Sequence, residues 1–296
     1  MKKIILSVVA LATASVAMAQ TPQDSTSVGQ WTKGGNIALT FNQAAFNSKW
    51  QGGGTNNLAA NLAVSYAFNY KKNDWTWDNN LYVDYGITRL QGDEFSRKTT
   101  DRLEYNSILG KQATEYWYYS VFMNFKTQFT KGYEYDTSTT PTQRTVMNKF
   151  FSPAYLQVGP GMLWKKSDNL RVNFAPATSK FTFVSKYFTG EPGYVDGAHY
   201  GVDANKTMRY ELGMAISGYA KFNLMENVSM ENILNLYSNY LEDPQNVDVD
   251  YTANIVMTIN KFLSANFTFQ AIYDDNAARG LQVRELFGLG LNYKLQ

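Results

Sequence analysis

Chemistry in a chain needs a base beside a nucleophile, or a set of groups that can hold a metal, and this sequence offers little of either. It carries one histidine, His199, and no cysteine in 296 residues. A Ser-His or Asp-His pair works only when the imidazole is held against its partner on a rigid wall. His199 instead falls in a stretch, 185–206, that also holds Gly190, Pro192, Gly193, Gly197 and Gly201. That context predicts an exposed loop histidine and no enzyme. With one imidazole and no thiolate, a metal would depend on carboxylates. Asp274-Asp275-Asn276 and Glu242-Asp243 are the candidates, and both read as solvated turns because no EF-hand spacing surrounds them. Gly52-Gly53-Gly54 lacks the Lys-Ser of a phosphate loop and reads as a flexible outer loop. No catalytic residue, cofactor or metal site is therefore expected.

The remaining chemically active residues are charges that recur at every second position, and they are informative through what alternates with them. Leu58, Ala60, Leu62, Val64, Tyr66, Phe68 and Tyr70 alternate with Ala59, Asn61, Ala63, Ser65, Ala67 and Asn69. Trp75, Trp77, Leu81, Val83, Tyr85 and Ile87 stand opposite Thr76, Asp78, Asn80, Tyr82 and Asp84. The same period of two runs through Trp117 to Phe129, Met208 to Leu224, Val228 to Leu241, Val247 to Asn260 and Ala265 to Asp274. It ends on Phe287, Leu289, Leu291, Tyr293 and Leu295 against Gly288, Gly290, Asn292 and Lys294. Period two means strands with one greasy and one polar face. With weaker runs at 36–44, 100–110, 150–165 and 170–184 the count is about twelve.

Connections test this independently. Segments 45–57, 91–99, 131–149, 185–206, 242–246 and 275–280 alternate with the shorter 71–74, 111–115, 166–169, 225–227 and 261–263. Short turns on one side and longer loops on the other are the pattern of bacterial outer-membrane barrels. Hydrocarbon forces every backbone N–H and C=O to pair within the protein, so a spanning sheet must close on itself. The expected fold is all-β: a single transmembrane antiparallel up-and-down barrel of about twelve strands, both termini periplasmic. A soluble β-sandwich is the weaker alternative, since its strands are shorter and its loops need not alternate.

If the apolar parity faces lipid, the other parity points Asp78, Asp84, Arg102, Glu104, Lys126, Arg171, Arg209, Glu211, Lys221, Glu231, Asp248, Asp250 and Arg284 into the lumen. Both signs are present, which allows either a water-filled passage of weak selectivity or a salt-bridged plug. Aromatic rings cluster at strand ends. Trp75, Trp77, Trp117, Trp164, Phe222, Phe267 and Tyr293 would form a periplasmic girdle, with Tyr85, Phe129, Tyr210, Tyr251 and Tyr273 nearer the outer rim.

The N-terminus reads as an export signal: Lys2 and Lys3, an apolar stretch from Ile4, then Ala17-Met18-Ala19. The expected organisation is a signal peptide at 1–19, a periplasmic tail at 20–30 and a barrel at 31–296, in the cell outer membrane. Cleavage removes two lysines and no acids, leaving 25 bases against 25 acids. A neutral balance implies no nucleic-acid partner. After this signal no stretch reaches eighteen apolar residues, which excludes a helical membrane protein. The partners expected are outer-membrane lipid, lipopolysaccharide and the barrel-assembly machinery, the last through the terminal strand Leu286 to Gln296.

Trp31-Thr-Lys-Gly34-Gly35, then Phe41-Asn42-Gln43, Phe46 and Trp50-Gln51-Gly52-Gly53-Gly54-Thr55-Asn56, resemble a Bacteroidota family, domain of unknown function 3078, as does Asn173-Phe-Ala-Pro176. The resemblance extends over nearly the whole chain after the signal. It implies an outer-membrane barrel and brings no site residues with it. The expected role is a narrow pore for small solutes with loops 131–149 and 185–206 partly covering its mouth. The alternative is a non-conducting barrel serving envelope integrity or adhesion through those loops.

Overall fold

The computed structural model describes residues 29–295 except Ser48, Trp50, Gly52, Gly53 and Thr140. The expected signal and most of the expected tail lie outside the described residues. Fourteen strands and one helical turn follow: β1 (Gln30–Ala44), β2 (Asn57–Lys72), β3 (Trp75–Leu90), β4 (Arg97–Gln112), β5 (Trp117–Thr127), β6 (Gly132–Asp136), β7 (Gln143–Asn148), β8 (Ala154–Ser167), β9 (Leu170–Phe183), α1 (Lys186–Thr189), β10 (Met208–Met225), β11 (Val228–Asn239), β12 (Val247–Thr258), β13 (Leu263–Asp274) and β14 (Ala278–Leu295). Twelve of them close into an antiparallel barrel in chain order, skipping β6 and β7, which pair separately. The alternation therefore located the barrel strands. It did not reveal the β6–β7 hairpin or α1, both too short for a period to register.

Closure rests on seven residue pairs, Gly35–Phe41 of β1 against Leu289–Leu295 of β14. The turns 73–74, 113–116, 168–169, 226–227 and 259–262 share one end of the barrel with the start of β1 and the end of β14. Loops 45–56, 91–96, 128–153, 184–207, 240–246 and 275–277 occupy the other.

Polarity is inverted relative to a water-soluble domain. Tyr119, Val121, Phe222, Phe287 and Leu289 are exposed on the outside, whereas Asp78, Glu104, Asn173, Lys180, Glu211 and Gln270 are buried within. One outward row breaks the rule: Glu285 stands exposed between Val283 and Phe287.

Two irregularities have local causes. Between β8 and β9 the register shifts around Pro160 and Pro176, neither of which can donate to a ladder. Two residues of β9 there, Pro176 and Ala177, oppose one of β10, Met214, a bulge. Its carbonyls are taken elsewhere: Thr178 Oγ1 donates to Ala175 O at 2.9 Å and Tyr240 Oη to Pro176 O at 3.0 Å. The bulge flips the inward parity of β9. Arg171, Asn173 and Ala175 are buried below it, Thr178, Lys180 and Thr182 above it.

The second lies between β2 and β3, whose pairing keeps one register but is interrupted between Ala67↔Asn80 and Tyr70↔Trp77. Side-chain amides bridge that interruption. Asn79 N donates to Asn69 Oδ1 at 3.0 Å, and Asn79 Nδ2 to Phe68 O at 3.0 Å. Asn79 Oδ1 accepts from Tyr105 Oη at 2.7 Å and Ser107 Oγ at 2.9 Å, and Trp77 Nε1 donates to Ser107 Oγ at 2.8 Å. Asn79 has outward parity yet is 0 % exposed. Above it stack Trp31, Phe68, Tyr70, Trp77 and Tyr105, so the aromatic cluster at this strand end is anchored through its polar tips. Asn79→Leu should strand two hydroxyls and the Phe68 carbonyl and cost about 1 to 3 kcal/mol. Urea unfolding of the refolded barrel, followed by tryptophan emission, measures it.

Candidate functional site

The barrel interior is where chemistry-bearing side chains converge, and its two halves differ. Against β4, β5 and β8 to β11 the lumen is filled by Ile108, Phe122, Leu163, Ala175, Ala215 and Tyr237, leaving a cavity of only 60 Å³. Against β1 to β4 and β12 to β14 the inward residues are small, among them Ala38, Thr40, Ala59, Ala63, Ser65 and Gly288, and a cavity of 330 Å³ remains. Nearer the loop end is another of 170 Å³, lined by Lys126, Tyr155 and Gln270. Thr100, Arg102 and Arg284 border both, so three side chains divide a lower chamber from an upper one. Gly288 lines the lower chamber against Thr40, which a Cβ there would strike.

Nine of the thirteen sequence-predicted lumenal charges sit in ion pairs, several spanning the barrel. At the turn end Lys165 of β8 reaches Asp78 of β3 at 2.7 Å. At the partition Arg102 meets Asp84 at 2.8 Å and Glu104 at 3.4 Å, while Lys126 of β5 crosses to Asp250 of β12 at 2.5 Å. Toward the loops Lys180 of β9 bridges Asp248 at 2.8 Å and Glu211 at 3.5 Å. Arg209 joins Glu211 at 3.3 Å and Glu242 at 2.7 Å. Of the other four, Arg171 lies 4.2 Å from the Tyr219 ring centroid and donates to Asp168 O. Glu231 accepts from Tyr219 Oη at 2.8 Å and Asn254 Nδ2 at 3.3 Å. Arg284 Nη1 donates to Thr100 Oγ1. Lys221 keeps the inward parity but stands exposed at the turn end.

Parity reading missed Lys165 and Lys180, which complete two of these networks. Lys180 was hidden by the β9 bulge, which reverses the face it occupies. It also left out the large inward side chains Ile108, Phe122, Leu163 and Tyr237. For Phe122 the signal was available, since it lies in the inward row between Ser120 and Asn124.

At the loop end the connections pack into a cap. Arg144 of β7 lies 4.4 Å from the ring centroids of Phe95 and Tyr133, drawing loop 91–96 onto the β6–β7 hairpin. Asp101 receives Phe129 N at 2.8 Å, Thr130 N at 2.9 Å and Lys98 Nζ at 2.8 Å, fixing the start of loop 128–153. Loop 184–207 has its own core of Val184, Phe188 and Val202, joined by Val146 and Tyr200. Tyr200 meets Tyr155 of the upper chamber edge-on. Arg209 ties three loops together through Gly201 O, Glu242 and Asn276. Gly201 must be glycine twice over: its φ is +70°, and a Cβ would strike the Arg209 guanidinium.

His199 lies in this cap and corrects one expectation. It is half-buried rather than exposed, stacked 4.3 Å from Phe188 and edge-on to Tyr200 at 4.7 Å. Its Nε2 is buried with no hydrogen-bond partner among the described residues. The ring thus serves packing, and no hydroxyl is held at Nε2 for activation. Among carboxylates, Asp248, Asp274 and Asp275 approach one another at the loop end. Asp248 is already engaged by Lys180, and Asp274 accepts from Asn276 N at 3.0 Å and Ala277 N at 3.1 Å as a turn residue does. The Glu242 carboxylate is held by Arg209. Gly52 and Gly53 lie outside the described residues.

The outer face carries the expected aromatics. Trp75, Trp77, Trp117, Phe222 and Tyr293 are exposed toward the turn end, with Trp164 paired opposite Trp117 and Phe267 half-buried. Phe129 and Tyr210 are exposed toward the loop end, and Tyr85, Tyr251 and Tyr273 are half-buried there.

Residues 41–133 match the family described as protein of unknown function, DUF3078. The Phe41 to Asn56 motifs fall inside that match, and the Trp31–Gly35 and Asn173–Pro176 segments lie beyond it. No curated protein matches the chain. Among solved structures it is similar to the translocator domain of autotransporter NalP from Neisseria meningitidis, at 8 % identity over 91 % of this chain and 90 % of that one, TM-score 0.40. The COG4313 outer membrane channel from Pseudomonas putida F1 is 9 % identical over 93 % and 99 %, TM-score 0.37. The outer membrane channel DcaP of Acinetobacter baumannii is 12 % identical over 92 % and 99 %, TM-score 0.30.

Burial holds the His199 imidazole below the usual histidine range. A lowered folded value means that the stability from neutral His199 is fully present above about pH 6.5, the unfolded value, and is lost as pH falls through the folded one. Proteolytic nicking within 184–207, scored against an unstructured reference peptide, should therefore accelerate on acidification from neutrality. His199→Phe should flatten that dependence.

Proposed function

We propose that the protein is an outer-membrane barrel that passes small polar solutes through the hollow half of its lumen. One observation carries this: two chambers stacked along the same wall of a closed barrel, divided by only Thr100, Arg102 and Arg284. The inverted polarity supports the membrane setting, since an exposed apolar exterior is stable in lipid and a liability in water. In that setting the turn end and both strand termini face the periplasm, the aromatic rings form two interfacial girdles, and the outer face contacts lipid and lipopolysaccharide. The last strand, from Leu286, is the segment offered to the barrel-assembly machinery. Paired charges of both signs at the partition give weak selectivity.

A second reading is favoured by the ion pairs that cross the lumen. They act as a plug if they do not rearrange, leaving a non-conducting barrel whose packed loops serve adhesion or envelope integrity. Conductance in a planar bilayer separates the two: silence from a pure, heat-modifiable barrel sinks the channel. If it conducts, Arg102→Gln should raise single-channel conductance about twofold or more and shift preference toward cations, because Asp84 and Glu104 lose their counter-charge.

The membrane assignment has its own test. Leu62→Arg places a charge on the outer face and should cost about 2 to 4 kcal/mol if the residue lies near the bilayer midplane. Asn61→Arg, directed into the lower chamber, should cost much less. Equal losses in urea unfolding from lipid vesicles would overturn the assignment of faces.

A further inference from the structure

Arg284 differs from the other cations at the partition. Arg102 is shared between Asp84 and Glu104, and Lys126 is held by Asp250. Among the described residues no carboxylate lies within 4 Å of Arg284, whose one side-chain partner is the Thr100 hydroxyl. Its Nε is buried and bonds nothing among the described residues. The acids whose charge reaches it, Asp84 and Asp250, are committed to Arg102 and Lys126. A guanidinium keeps its charge at any physiological pH, and leaving a buried donor such as this Nε unmet is costly. The partition is thus polarised: the Asp84–Arg102–Glu104 group carries one excess negative charge, and Arg284 carries a positive charge that borders both chambers with no carboxylate in direct contact among the described residues.

We propose that Arg284 is the anchor of a binding site for a small monocarboxylate in the lower chamber. Its planar donor fork matches the two oxygens of a carboxylate. The 330 Å³ chamber falls at the small end of the range for small-molecule pockets, about 300 to 1,000 Å³. Its wall suits a short polar body, with Thr40 and Asn61 offering hydrogen bonds and Ala38 and Ala63 offering methyl contacts. Single charge follows from the acids that border the chamber: Asp84, Glu231 and, from the outward row of β14, Glu285 repel a dianion more than a monoanion. This names the solute class of the passage proposed above and rests on that reading for its place on a route, though binding itself needs no conduction.

Calorimetric titration of the full refolded barrel in detergent tests it, with lactate as probe, lactamide as its neutral analogue, and succinate and sulfate as dianions. Lactate should bind and lactamide should not, with both dianions weaker than lactate. Arg284→Gln should lose about tenfold or more in lactate affinity, and Arg284→Lys, which keeps the charge without the fork, should fall between. Heat modifiability on gels confirms that each variant is folded, and the four-probe comparison on wild type stands even if a variant does not fold. Equal heats for lactate and lactamide, tighter binding of a dianion, or unchanged lactate affinity in folded Arg284→Gln would each overturn the site. Lactate binding by a barrel that is silent in the bilayer would support the site and remove the channel. Conduction without lactate binding would do the reverse.

Discussion

In the membrane setting proposed here, backbone amides and carbonyls that face hydrocarbon have no water to bond, so the sheet has to pair with itself all the way round, and the structure depends on where that ring closes. Closure here is the pairing of β1 with β14 over seven residues. Once the ring is shut, the outer parity is committed to an apolar surround and the inner parity to a confined interior. Each departure from the ladder must then be repaired locally. Asn69 and Asn79 do this between β2 and β3, and Thr178 and Tyr240 do it at the Pro176 bulge. The repairs use side-chain amides and hydroxyls because only polar atoms can replace a lost ladder bond.

An interior closed in this way collects charge, and charge in a confined space must find a partner or water. Long-range pairs such as Lys126–Asp250 and Lys180–Asp248 connect strands that are not neighbours in the ring. Such pairs are costly to break singly, because the partner left behind is an uncompensated charge. They act as cross-braces toward the loop end of the barrel, while Ile108, Phe122 and Leu163 fill the lumen nearer the turn end. The cavity volume is left where the inward side chains are small, along β1, β2 and β14.

Most of the architecture was legible because period two has a single structural meaning, and the alternating loop lengths agreed with it. Legibility failed where the period itself was broken. Lys180 is inward because one extra residue at Pro176–Ala177 turns the strand over, and nothing in a count of alternate positions shows where such a bulge falls. Asn79 has outward parity and is buried, since its role is to replace ladder bonds rather than to face a solvent. The ion pairs were legible as residues but not as pairs: alternation places a charge on a face, whereas strand tilt and register decide which charge it meets across the lumen. His199 was assigned to the right loop with the wrong surroundings, because glycine and proline content describes a backbone and not the Phe188 ring beneath.

The cap springs from the connections β3–β4, β5–β8 and β9–β10, and its Tyr200 meets Tyr155 of the upper chamber. The connection between β13 and β14, above the hollow half, is three residues long, and Asn276 within it is tied back to Arg209. A solute that has entered the upper chamber still has to pass the partition of Thr100, Arg102 and Arg284 to reach the lower one. In the channel proposed here, that partition is therefore a site of selectivity. The state of the paired charges around it decides whether the two chambers act as one passage or as two closed cavities.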